Sequence, residues 1–237
     1  MLRLITDFDG PIMDVSDRYY LVYQYCLNQA KRSGQTVQLL SKAEFWRLKR
    51  SRLPEQQIGV RSGLDEAQAV EFARLRRTTI HTLPYLAYDS LIPGSVAALE
   101  RVQQAGADIA VMTMRRTWEL KYVFERYDLE RFFPANRCYC LSDNYIKNSD
   151  VKEKPLLMAQ ALKELPPAIE TWMVGDTEAD IVAAQTYGIK VIAVLSGIRD
   201  RAQLERYQPN LIVNNLSEAV EVILDQFWQQ TGHMSIA

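Results

Sequence analysis

From residue 93 onwards the chain alternates between stretches with helical spacing and short apolar runs. The clearest apolar runs are residues 108–112, 171–174 and 191–194, and each is preceded by a stretch of helical periodicity. Such near-continuous apolar runs are typical of strands that are buried on both faces. The alternation therefore predicts an α/β fold, in which a parallel sheet is covered by helices on both sides.

A helical block interrupts this pattern after the first strand. Apolar residues such as Val15 and Val22 recur there at spacings of three and four, and no convincing strand is visible. We therefore predict two domains. Residues 1–14 and 89–237 form an α/β core, and residues 15–88 form an inserted all-helical cap.

Composition excludes several classes of protein. Apolar content of 48% is ordinary for a globular protein. A formal net charge of -1 provides no global electrostatic field that would recruit nucleic acid or an anionic membrane. The three cysteines, Cys26, Cys138 and Cys140, are odd in number and too sparse for a disulfide framework. No secretory leader or membrane-spanning run is visible, so the expected location is cytoplasmic.

The first strand, residues 2–5, ends in Thr6-Asp7-Phe8-Asp9-Gly10. Strand alternation directs Asp7 and Asp9 to the same side. Two like charges in the crevice of an open sheet are costly unless a cation binds them. The hypothesis is a Mg²⁺ site in which one carboxylate is free to act as a nucleophile. The alternative is an Asp-Gly turn with both acids solvated.

Two later segments carry groups that could hold a phosphate. Thr113 ends the run 108–112, where its hydroxyl and the amides that follow, beginning with Met114, can bind a phosphate oxygen. Its alternative role is a helix N-cap. Lys154 precedes Pro155, which predicts that the lysine lies at a helix start and needs an anionic partner there.

A third segment supplies two more acids. The run 171–174 ends at Gly175, and Asp176 and Asp180 follow at a spacing that puts both carboxylates on one helical face. Helix capping could explain Asp176 alone. The carboxyl ends of parallel strands share one rim, so these groups are predicted to converge with Asp7.

Together these segments resemble the four ordered motifs of the haloacid dehalogenase-like hydrolases. The cap and the C-terminal part resemble the branch that contains phosphoglycolate phosphatase and β-phosphoglucomutase, which implies a Rossmann-like core with a helical cap. Pro11 departs from the usual pattern, in which threonine or a β-branched residue follows the glycine. The matching segments are Asp7-Phe8-Asp9-Gly10, Val111-Met112-Thr113, Lys154-Pro155 and Gly175-Asp176-Thr177-Glu178-Ala179-Asp180.

The resemblance implies Mg²⁺-dependent hydrolysis of a small phosphate monoester through an aspartyl-phosphate intermediate. Asp7 would be the nucleophile, Asp9 the general acid and base, and Lys154 a further catalytic group that binds phosphate with Thr113 and Met114. Alternatives are a mutase of the β-phosphoglucomutase kind and a catalytically silent binding protein on the same scaffold. The implied metal ligands are Asp7, Asp9 through its backbone carbonyl, Asp176 and Asp180.

The expected partner is a small phosphorylated metabolite, bound by a monomer or homodimer. Arg115 and the basic cap residues Arg50 and Arg61 are candidates for contact with the substrate. A solvated helix face is the alternative for the cap residues. His81 and His233 are distant from every motif and are interpreted as incidental.

Overall fold

The computed structural model describes residues 1–232, with side chains described to residue 229. No described helix is both long and apolar enough to cross a lipid bilayer. A short 3-10 turn also occurs, at Ala135–Arg137. In chain order the elements are β1 (Leu2–Thr6), β2 (Met13–Asp14), α1 (Ser16–Ala30), α2 (Lys42–Arg50), α3 (Glu55–Arg61), α4 (Glu66–Thr79), α5 (Leu83–Leu86), β3 (Ser90–Leu91), α6 (Ser95–Gln104), β4 (Asp108–Arg116), α7 (Thr117–Tyr127), β5 (Cys138–Leu141), α8 (Asp150–Glu164), β6 (Glu170–Gly175), α9 (Glu178–Thr186), β7 (Lys190–Val194), α10 (Arg201–Glu205), β8 (Leu211–Val213) and α11 (Leu216–Gly232).

Six parallel strands form the main sheet, in the order β5-β4-β1-β6-β7-β8. The predicted α/β class is confirmed. β1 lies in the middle, where Arg3 pairs with Asp108 of β4 and Leu2 pairs with Glu170 of β6. Leu4 and Ile5 belong to two different apolar clusters because successive side chains point to opposite faces. Both faces of the sheet are therefore covered, as the apolar runs predict.

The regular elements described between β2 and β3 are all helices, as the sequence predicts. α1 to α5 surround an apolar cluster of their own that includes Tyr23, Phe45 and Phe72. β2 and β3 pair antiparallel, which holds the two chain crossings into and out of the helical insert side by side. The division into core and cap with the boundaries given above stays a prediction.

Helix α8 begins earlier than the sequence predicts. Pro155 lies inside it, so Lys154 is in the second turn and not at the helix start. The predicted start is wrong because residues 150–153 already turn as a helix. The Glu153 carboxylate accepts a hydrogen bond from the Asn148 amide at 2.7 Å and fixes the chain that enters this first turn.

Candidate active site

Three acidic side chains meet at the carboxyl ends of β1 and β6. Asp7 follows β1, Asp176 follows β6, and Asp180 lies in the first turn of α9. All three are buried, and one carboxylate oxygen from each lies within 4.8 Å of the others. The convergence predicted from the strand ends is therefore present in the fold.

Three glycines make room for these carboxylates. A Cβ atom at Gly10 or Gly197 would collide with the carboxylate of Asp176, and one at Gly175 would collide with that of Asp180. Gly10 also adopts φ +93°, a backbone conformation that side chains other than glycine rarely adopt. The backbone thus closes around the acids on three sides.

Lys154 partly compensates for the acidic cluster. Its Nζ lies 2.7 Å from Oδ2 of Asp7 and also pairs with Oδ1 of Asp180, and the lysine is 1% exposed. Burial alone would lower the pKa of Lys154, but the two carboxylates outweigh it and raise that pKa. The lysine therefore stays charged and orients Asp7.

The cluster retains excess negative charge, since three carboxylates face one ammonium group. Burial and then the charge of Asp180 raise the pKa of Asp176 to about 7, and the same two causes raise the pKa of Asp7 well above its usual range. Buried carboxylate oxygens in this number are the ligands that Mg²⁺ prefers. Asp7, Asp176 and Asp180 thus fit a divalent cation, which would replace the protons.

Asp9 lies apart from this cluster because two arginines bind its side chain. Arg115 donates to Oδ1 from Nε at 2.9 Å and from Nη2 at 2.6 Å, and Nη2 of Arg18 donates to Oδ2 at 3.3 Å. Burial raises the pKa of Asp9, but the two guanidinium groups outweigh it and hold the pKa below its usual value. The Asp9 side chain is therefore a carboxylate at neutral pH, and only its backbone carbonyl remains as the predicted metal ligand.

Asp89 completes a neutral group of two arginines and two aspartates. Its Oδ2 lies 2.5 Å from Nη2 of Arg115, and its Oδ1 lies 2.9 Å from Nε of Arg18. The sequence motifs do not identify Arg18 or Asp89. The available signal is a cation in the first turn of α1, where the helix dipole disfavours it.

A small cavity of about 110 Å³ opens above Asp7 and is lined by Asp9, Thr113, Met114 and Lys154 among others. Thr113 lies inside β4, which extends to Arg116 and not only to the predicted residue 112. Its Oγ1 accepts a hydrogen bond from the Arg115 amide at 3.2 Å, so the hydroxyl hydrogen is free to point elsewhere. The cavity therefore brings the predicted phosphate-binding residues together beside the nucleophile candidate.

His81 lines the same cavity, so the expectation that it lies away from every motif is wrong. The helical insert carries it there, and its Nδ1 lies 3.0 Å from Oε2 of the buried Glu119. A motif search misses such a residue because a distant segment supplies it. His233 lies outside the described residues.

The basic candidates for substrate contact differ in position. Arg115 is 2% exposed and lines the cavity. Arg50 donates from Nη2 to the carbonyls of Leu195 at 2.8 Å and Arg199 at 3.1 Å, which joins α2 to the core. Arg61 is exposed at the end of α3. The structure thus brings only Arg115 of these three to Asp7 and Asp9.

Comparisons with known proteins agree with this geometry. Residues 151–219 match the model of the HAD-hydrolase-like family. A pyrophosphatase PpaX from Bacillus cereus is 27% identical over 169 residues, which cover 69% of this chain and 73% of that protein. The corresponding protein from Bacillus mycoides is 27% identical over 139 residues, or 57% of this chain and 62% of the relative.

Solved structures share the fold along almost the whole chain. A predicted phosphatase from Clostridium acetobutylicum superposes with a TM-score of 0.68 at 21% identity and covers 94% of this chain and 98% of its own. A haloacid dehalogenase-like family hydrolase from Streptococcus pneumoniae gives 0.65 at 20% identity, with coverage of 93% and 97%.

Proposed function

We propose that this chain is a haloacid dehalogenase-like hydrolase, and more narrowly a Mg²⁺-dependent phosphatase that acts on a small phosphate monoester. One observation carries the proposal. Three buried carboxylates lie within 4.8 Å of one another, and Lys154 holds one of them, Asp7, at 2.7 Å. Such a cluster is unfavourable for the fold alone, whereas it suits a dication that clamps a phosphate.

Asp7 is the nucleophile in this proposal. The Phe8 amide donates to its Oδ1 at 2.7 Å and Lys154 pairs with Oδ2, so the carboxylate is held at the floor of the cavity. An Asp7 oxygen forms a bond to phosphorus while the bond between phosphorus and the leaving oxygen breaks, which gives an aspartyl phosphate. Lys154 and the amides after Thr113 bind the non-reacting phosphate oxygens.

Asp9 carries protons in both halves of the reaction. Because its side chain is a carboxylate at neutral pH, Asp9 must first take up a proton from solvent, which it gives to the leaving oxygen. The carboxylate that this regenerates later removes a proton from the water that hydrolyses the aspartyl phosphate. The pairing with Arg115 and Arg18 favours the carboxylate form, which the second half needs. Mg²⁺ bound by Asp7, Asp176, Asp180 and the Asp9 carbonyl would supply charge stabilisation for the transferred phosphoryl group.

The test compares the wild type with Asp7→Asn on p-nitrophenyl phosphate and Mg²⁺. We expect Asp7→Asn to lower kcat by about a thousandfold or more, whereas Asp225→Asn, an exposed acid on α11, keeps the wild-type rate. Acid quenching during turnover should leave phosphate on the peptide that contains Asp7. Equal rates for Asp7→Asn and the wild type would refute the assignment of Asp7 as the nucleophile.

A panel of phosphate esters that includes sugar phosphates separates the alternatives. Fast isomerisation of a sugar phosphate with little phosphate release would identify a mutase. A wild type that hydrolyses no ester across a broad panel would identify a silent scaffold.

A further inference from the structure

A second cavity adjoins the one above Asp7 and extends towards the helical insert. Its volume is about 470 Å³, and it shares Tyr19, Asp150, Thr177 and Ile198 with the first cavity. We call it the cap cleft, lined by Lys49, Glu55, Arg76 and Arg77 on the helical side and by Arg199 on the core side. A substrate whose phosphate lies at Asp7 has room to extend its leaving group into this cleft.

Two buried cations in the cap cleft share a single carboxylate. Nζ of Lys49 and Nη1 of Arg76 both pair with Oε1 of Glu55. The side chains of Lys49 and Arg76 are only 13% and 5% exposed. Nε of Arg76 has no hydrogen-bond partner among the described residues. Burial, followed by the charges of Arg76 and Arg199, lowers the pKa of Lys49 well below its usual range. The wall thus holds more basic groups than the one carboxylate neutralises, an arrangement that an incoming anion would relieve.

The opposite wall repeats this imbalance. Arg199 donates to both oxygens of Glu178, at 2.7 and 3.1 Å. Nη2 of Arg52 lies 3.2 Å from the same carboxylate. Glu178 therefore serves two guanidinium groups, and the surroundings of the cleft stay positive overall.

Tyr19 holds the cations at the junction of the two cavities. Nζ of Lys49 lies 5.7 Å from the ring centroid of Tyr19, and Cζ of Arg76 lies 5.3 Å from it. An aromatic face at these distances attracts cations and limits where they can move. Lys49 and Arg76 are thereby fixed near the passage that leads to Asp7.

We propose that the cap cleft binds a second anionic group on the leaving group of the substrate, a carboxylate or a second phosphate, through Lys49 and Arg76. Charge-assisted hydrogen bonds to such a group replace part of the interaction with Glu55. The inference rests on the phosphatase function proposed above and names its substrate class. It assigns substrate selection to residues other than Arg50 and Arg61.

The test measures kcat/KM for matched substrates. In 2-phosphoglycolate the leaving group carries a carboxylate, and in inorganic pyrophosphate the leaving group is a second phosphate. In 2-hydroxyethyl phosphate, the counterpart of 2-phosphoglycolate, the leaving group is uncharged. We expect kcat/KM of the wild type for one of the first two substrates to exceed that for 2-hydroxyethyl phosphate by about tenfold or more, which corresponds to one charge-assisted hydrogen bond. Which of the two is preferred identifies the source of the anion.

Two substitutions should move this preference in opposite directions. Lys49→Met removes a cation and is expected to lower the preference about tenfold. Glu55→Gln removes the competing carboxylate and is expected to raise it. A general folding defect would affect charged and uncharged substrates alike. Lys42→Met is the matched control, because this half-exposed lysine on α2 pairs with Asp17 away from the cleft and should keep the wild-type preference.

Calorimetry on an Asp7→Asn background measures this preference from binding alone. It is then the ratio of the dissociation constants of 2-hydroxyethyl phosphate and 2-phosphoglycolate. The cap-cleft proposal is wrong if the wild type shows no preference, or if Lys49→Met and Glu55→Gln shift it in the same direction. A protein that hydrolyses 2-hydroxyethyl phosphate as well as it hydrolyses the other two substrates refutes the cap-cleft proposal only. A protein that hydrolyses no ester but still binds the anionic compound more tightly refutes the phosphatase function only.

Discussion

Replacing one candidate metal ligand should stabilise the metal-free protein. The folded state raises the pKa of Asp176 from 3.8 to about 7, chiefly through burial and the charge of Asp180. A carboxyl with a raised pKa costs no stability below its unfolded pKa, and its cost grows as the pH rises from the unfolded to the folded pKa and is constant above that. We therefore expect Asp176→Asn to raise the free energy of unfolding above pH 7 when no cation is bound.

The size of the effect follows from the shift. A change of about three pKa units corresponds to about 4 kcal/mol, reached near pH 8. At pH 5 most of the folded protein carries a proton on Asp176. The same linkage then predicts that Asp176→Asn raises the free energy of unfolding by only about 2 kcal/mol. The amide oxygen of the asparagine can still accept the hydrogen bond that the Ile198 amide donates to Asp176 at 2.6 Å. The packing around this position is therefore retained.

The measurement is urea unfolding in EDTA at pH 8 and pH 5, followed by the fluorescence of the buried Trp172. Asp225→Asn should match the wild type at both pH values. Saturating Mg²⁺ at a hundred times its dissociation constant should add about 2.7 kcal/mol to the wild type and much less to Asp176→Asn. An Asp176→Asn protein that is less stable than the wild type at pH 8 would refute the reasoning. So would a difference that stays constant between the two pH values.

Three further outcomes are expected. Arg115→Met should lower the free energy of unfolding by about 3–5 kcal/mol in urea titrations, because it leaves the carboxylates of Asp9 and Asp89 to share the single guanidinium group of Arg18; a loss below about 1 kcal/mol would contradict this. Gly197→Ala should weaken Mg²⁺ binding in calorimetry at least tenfold, because its Cβ would meet the Asp176 carboxylate, whereas Gly34→Ala, which adds a Cβ in open space, should not. The Mg²⁺ dissociation constant of the wild type should fall about tenfold or more for each pH unit up to about pH 7, since protons on Asp176 and Asp7 compete with the cation; a flat profile between pH 5 and 7 would argue against that competition.

The sequence predicts the part of the site that local rules control. Asp7 and Asp176 each follow an apolar strand, Thr113 lies near the carboxyl end of another, and the carboxyl ends of parallel strands share one edge. The convergence of these side chains follows from the parallel arrangement of the strands alone. The catalytic and ligand roles that the family resemblance implies for them stay predictions until the variants are measured.

The remaining residues come from tertiary pairings that have no periodic signature. Arg18 and Asp89 lie where the chain enters and leaves the helical insert, and they meet only because β2 and β3 pair. His81 reaches the cavity from the end of the insert in the same way. Lys154 shows a different limit, since a proline inside a helix resembles one at its start.

The central place of β1 in the sheet has a consequence for how the chain is synthesised. β1 leaves the ribosome before both of its partner strands, which begin at Asp108 and Glu170. Contacts between such distant residues slow folding, because a long loop must close before they form. Until then both edges of an apolar strand are open to other chains. A nascent chain that stops before residue 170 would therefore aggregate more readily than one that stops after β6.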